Sequence, residues 1–177
     1  MNHWMGACMR LDSVLQLDAQ RVQLEREVIA LMPGALFDRQ SRKLKQVYLS
    51  LEQYRARTCQ EAAVLLAVAA SSMKDNGPFE HLTLDLEELA GRLRDETLQT
   101  GDAQRLRAAR AAVSNLPDLD HEPWSFELGF YWGGELKERA LKLIDRTIEC
   151  ISQPRLVHEG SARTGDPAQR AAFKIAL

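Results

Sequence analysis

Cysteine, proline, aromatic rings and long apolar runs are all scarce in this chain, and each shortage removes a class of protein. Cys8, Cys59 and Cys150 are the 3 cysteines among 177 residues. They stand far apart, with no CxxC pair and no Cys/His ligand spacing, which excludes a disulfide scaffold and a zinc module. Reduced thiols and a cytoplasmic location are the expectation. The longest apolar run, Ala62 to Ala70, is 9 residues long, against the ~20 needed to cross a bilayer. From Met1 to Arg10 no basic stretch precedes an apolar one, so no secretory signal is expected. Gly6 and Cys8 would fit dual acylation of a chain begun at Met5, but Arg10 stands where myristoylation wants Ser or Thr. A net charge of −2 directs the chain toward neither nucleic acid nor an anionic membrane.

Catalytic signatures are missing as well. His3, His81, His121 and His158 are scattered, with no second ligand at metal spacing. Ser161 follows Gly160 but lacks the second glycine of a nucleophile elbow. Gly129, Gly133 and Gly134 make neither a Walker loop nor a dinucleotide fingerprint. No nucleophile, base and orienting group can be nominated together. The sequence therefore assigns no catalytic residue, no cofactor and no metal ligand.

What the chain does have is helical periodicity. Hydrophobic residues are 45% and charged residues 27% of it, an ordinary globular balance. Residues 11–32 read as a helix with two apolar rows, Leu17, Leu24 and Leu31 on one side and Leu15, Val22 and Ile29 on another. Two rows suit two neighbours, in a bundle or across a dimer. Residues 39–75 read as one long helix carrying Leu44, Val47, Tyr48, Leu51, Thr58, Ala62, Leu65, Leu66, Ala69 and Met73 on one face, with Arg55 inside the stripe as a snorkelling cation. Its apolar second half reads as the buried centre. Asp85 and Glu88 form a capping box, with Leu84 and Leu89 as a staple, so a third helix is expected to start there. Asp102 caps a fourth, with Leu106, Ala109, Val113 and Leu116 inward. Residues 134–152 are the cleanest amphipathic helix, with Leu136, Ala140, Leu143, Ile144, Thr147, Ile148 and Ile151 on one side. Glu135, Glu138, Arg139, Lys142, Asp145, Arg146 and Glu149 fill the other.

The expected fold is all-α: an antiparallel helical bundle of about five helices, with an aromatic and acidic insertion before the last long helix. Residues 1–153 form a single bundle domain in this reading. Residues 154–177 form a C-terminal tail, mobile or docked on a partner.

The insertion is the one stretch unlike the rest. Trp124, Phe126, Phe130, Tyr131 and Trp132 are 5 of the 11 aromatics. They lie in a run from Ala111 to Leu136 without a single Lys or Arg, which holds Asp118, Asp120, Glu122, Glu127 and Glu135. Alternation from Trp124 to Trp132 fits a strand, whereas Trp124, Leu128, Tyr131 and Trp132 also share a helical face. Helix or structured loop is favoured, because no strong second strand exists to pair with it. The rings either plug one end of the bundle or form a surface for a partner.

The functional expectation is a non-enzymatic interaction protein, a regulator, adaptor or inhibitor. Its partner surface is Trp124, Phe126, Glu127, Phe130, Tyr131 and Trp132, facing a basic protein. The two apolar rows of the first helix add self-association. A second reading is a helical Mg²⁺-dependent hydrolase of phosphate esters or nucleotides, using the acids at 87, 88, 95, 135, 138 and 145. Lys142 among those acids, flanked by Arg139 and Arg146, looks instead like a solvated face. A third is a nucleic-acid binder using Arg39, Arg42, Lys43 and Lys45, disfavoured because no recognition pattern accompanies them.

Overall fold

A computed structural model of the chain describes residues 2–73, 80–116 and 133–152, with side chains for 13–73, 81–116 and 136–152. Among them there are six helices: α1 (Asn2–Ala30), α2 (Ala35–Gln53), α3 (Cys59–Met73), α4 (Glu80–Arg94), α5 (Asp102–Ser114) and α6 (Gly133–Ile151). The fold is an all-α helical bundle. The C-terminal tail, 154–177, lies outside the described residues. Chain contacts divide into two compact units, Met1–Arg55 and Ala56–Leu177.

In the first unit α1 packs on α2. Of the row Leu17, Leu24 and Leu31 only Leu24 is buried; Val14 and Val28, outside both rows, are buried with it, as are Leu44, Val47, Tyr48 and Leu51 of α2. No residue of the row through Val22 is buried. Leu15 is 45% and Ile29 72% exposed, and Met32 and Leu36 beyond it are exposed too. Polar ties join the two helices. Gln40 donates to Glu27 at 2.7 Å and the Tyr48 hydroxyl to Glu25. Arg21, buried on α1, is held by Asp18 and Glu25 at 2.7 and 2.8 Å. Burial works against its cation, but Glu25 and Asp18 more than offset that and hold it above its ordinary value.

The expected long helix over 39–75 is two helices. Between them Tyr54 turns extended and residues 54–58 leave the helix. The reason is written in Thr58-Cys59-Gln60-Glu61, a capping-box sequence. The Glu61 amide donates to Thr58 Oγ1 at 3.1 Å, and the Glu61 carboxylate accepts from the Arg57 amide at 2.6 Å. One amide orphaned at the helix start and one in the segment leading into it are satisfied this way. Arg55 is accordingly an exposed residue of the connecting segment and not a cation in an apolar stripe.

The second unit is a ring of four helices, α3 on α4, α4 on α5, α5 on α6 and α6 on α3. Paired residues give the directions. Arg92 meets Asp102 and Arg105 meets Asp85, so α4 and α5 run antiparallel. Arg110 meets Asp145, and Lys137 meets the Leu116 carbonyl, so α5 and α6 do too. Thr147 reaches the Ala62 carbonyl and Cys150 that of Thr58, so α6 is antiparallel to α3. The result is an up-down-up-down bundle. Its centre is α3, buried nearly all round, as its unbroken apolar run requires: Ala62 to Leu66, Val68 to Ala70 and Met73 are all inside. Leu86, Leu89, Ala90 and Leu93 of α4, and Leu106, Ala109 and Val113 of α5, face inward. Ala140, Leu143, Ile144 and Thr147 of α6 join them.

Four local expectations are corrected. Asp102 is the first residue of α5 and not its cap, which is Gly101. The chain is already helical at Glu80, so Asp85 and Glu88 lie inside α4 and do not cap it. Leu84 is 55% exposed and staples nothing. Arg139, assigned to the solvated side of α6, is only 3% exposed. A further difference concerns the end of α4. It closes at Arg94 with a Schellman motif: the Glu96 amide bonds the Leu93 carbonyl and the Thr97 amide that of Arg92, at 3.2 and 2.9 Å. Glu96 sits there at φ 54°, the left-handed position that glycine fills more easily, at a cost of roughly 1–2 kcal/mol for other residues. Glu96→Gly is therefore expected to raise stability by about 0.5–1 kcal/mol, read as a higher denaturation midpoint at unchanged slope.

Candidate functional site

Trp124, Phe126, Glu127, Phe130, Tyr131 and Trp132 all lie outside the described residues. The choice between helix and strand for that segment lies there with them. The stems on either side are described. α5 ends at Ser114, with the Asn115 amide bonding back to Ala111 at 3.1 Å. α6 begins at Gly133, and Lys137 in its first turns donates to the Leu116 carbonyl at 2.6 Å. Arg110 grips Asp145 through two bonds of 2.9 and 3.2 Å. That pairing holds the guanidinium above its ordinary value. In sequence the aromatic and acidic stretch joins two antiparallel helices that are tied to each other.

Of the acids considered for a metal, Glu88, Glu138 and Asp145 are paired with basic side chains. Glu88 binds Arg92 at 2.7 Å and Arg105 at 2.9 Å, and Asp85 binds Arg105 at 3.0 Å. The Arg105 hydrogen bond, with its charge, keeps the Glu88 carboxyl below its ordinary range. Arg105 is raised in turn by its bonds to Glu88 and Asp85. Asp102, nearly fully buried, accepts from Arg92 and from the Gln99 amide at 2.8 Å. Asp145 is bound to Arg110, and Glu138 lies 4.0 Å from Lys142. Glu87 and Asp95 are exposed, and the Glu135 side chain is outside the described set. Among the described residues no group of three His, Cys, Asp or Glu side chains is placed to hold a metal ion. These carboxylates and arginines fasten α4 to α5 and α5 to α6.

Arg39, Arg42, Lys43 and Lys45 are exposed along α2, and Arg42 donates to the Asp38 carbonyl of its own helix at 3.2 Å. No described helix is long and apolar enough to cross a membrane.

One polar junction escaped the sequence reading. At the start of α3, Glu61 is wholly buried, and its Oε1 has no hydrogen-bond partner. Cys150 of α6, also fully buried, donates to the Thr58 carbonyl at 3.6 Å. Burial first, then the neighbouring Cys59 and Glu61, push the Cys150 thiol up to about 12. The signal that could have found this place is the T-x-x-E pattern at 58–61.

No family model, curated protein or solved structure matches the chain. Its function must be argued from its own residues.

Proposed function

We propose that the chain is a non-enzymatic interaction protein, a regulator, adaptor or inhibitor, whose segment around Trp124, Phe126, Glu127, Phe130, Tyr131 and Trp132 binds a basic surface of another protein. The observation that carries this reading is compositional. Five aromatic rings and four acids fall between Leu116 and Gly134 with no Lys or Arg among them. Large rings supply contact area at small entropic cost, and the acids favour a cationic partner. The tied antiparallel stems of α5 and α6 support it, because a segment held at both ends loses less freedom on binding. The exposed row of Leu15 and Ile29 on α1 is compatible with self-association in the same protein.

The test compares the full chain with Trp124→Ala plus Trp132→Ala in co-expression with its native neighbours. The expected result is loss of the partner at unchanged helical content and melting temperature. Binding of the wild type should also weaken as salt rises. A double variant that stays folded and keeps every partner would sink the proposal. A Mg²⁺-dependent hydrolase would instead show thermal stabilisation by Mg²⁺ with a nucleotide, and phosphate release.

A further inference from the structure

The junction of α3 with α6 gathers two thiols on one capping residue. Thr58 caps α3 through its hydroxyl, and its carbonyl receives the Cys150 thiol at 3.6 Å. Cys59 is the next residue in the chain. Cys150 is fully buried, whereas Cys59 is half-buried. The two cysteines thus differ in access but share a place, far apart in sequence and adjacent in the fold. Access sets an order: a reagent meets Cys59 before Cys150.

We infer that Cys59 and Cys150 form a disulfide-forming pair, oxidised by a small disulfide such as glutathione disulfide, which locks the start of α3 to the end of α6. In the first step the Cys59 thiolate attacks one sulfur of the oxidant. A mixed disulfide forms at Cys59 and one thiolate departs. In the second step the Cys150 sulfur attacks the Cys59 sulfur, and the second half of the oxidant leaves as a thiolate that takes up the Cys150 proton. The sum is two protein thiols and one small disulfide giving one protein disulfide and two small thiols. Because Cys150 is shielded from solvent, the reagent has to enter at Cys59. The bond closes a long loop that includes α3, α4, α5 and nearly all of α6, so it stabilises the bundle by restricting the unfolded chain. This inference is independent of the aromatic segment.

The experiment uses the full chain carrying Cys8→Ser, incubated with excess glutathione disulfide and digested without reduction. The expected product is a peptide pair linking Cys59 to Cys150, with a melting temperature raised by roughly 5 °C or more and restored by dithiothreitol. In Cys150→Ala the reaction should stop with glutathione retained on Cys59. In Cys59→Ser neither adduct nor cross-link should form, because Cys150 is not reached from outside. Circular dichroism of the reduced variants establishes that each is folded. A folded chain that stops at a glutathione adduct on Cys59 with Cys150 still present overturns the inference, and so does direct modification of Cys150 in Cys59→Ser.

Discussion

Leu65→Ala is expected to lower the unfolding free energy by about 3–4 kcal/mol, whereas Leu84→Ala should change it by less than about 0.5 kcal/mol. Both are leucines of helices in the same four-helix ring, so composition cannot separate them. Leu65 has no exposed surface, and α3 packs against both α4 and α6. Deleting its isobutyl group removes the transfer free energy of the buried carbons and leaves a cavity that two neighbouring helices cannot both close. Leu84 is 55% exposed, so its truncation leaves no cavity. Urea unfolding followed by circular dichroism measures both. Equal losses for the two variants would contradict the central place of α3.

That contrast bears on what the sequence discloses. The unbroken apolar run from Ala62 to Ala70 marks α3 as central without any coordinates, because a helix without a polar face has to be enclosed. The two apolar rows of α1 were only partly legible: Leu24 turns inward, but Val14, Arg21 and Val28, which belong to neither row, are buried beside it. α6, predicted over 134–152, starts and stops within a residue of that range. What failed was the use of polar residues. Asp85 and Glu88 satisfy the capping-box pattern, yet α4 starts upstream of them and they bind Arg105, about twenty residues on. The same pattern at Thr58 and Glu61 is a true cap, passed over because the apolar spacing of Leu51, Thr58 and Ala62 runs on through the break. A capping box is a local signal, and a long-range arginine can claim its acid. Arg139 shows the reverse error: helical spacing places it among charged neighbours, but it is buried. The candidate partner surface was legible only as composition, because rings at 124–132 fit more than one period.

Raising the pH from 8 to 11 is expected to destabilise the second unit by on the order of 3 kcal/mol through Cys150 alone. The sign follows from the direction of the shift. In the unfolded chain the thiol ionises near 9.0, whereas in the fold it is pushed up to about 12, by burial first and then by Cys59 and Glu61. Below pH 9 both states carry the proton and the group contributes no pH dependence. Between 9 and 12 only the unfolded state releases it, so each pH unit favours unfolding by about 1.4 kcal/mol. Other groups titrate in the same window, and Cys150→Ala separates them. The variant should start less stable, because the fully buried sulfur leaves a small void. Its stability should then fall less steeply with pH, so that the two curves converge between pH 9 and 11. Curves that remain parallel would show that Cys150 ionises in the fold as readily as in water, and that the junction of α3 with α6 admits charge and solvent.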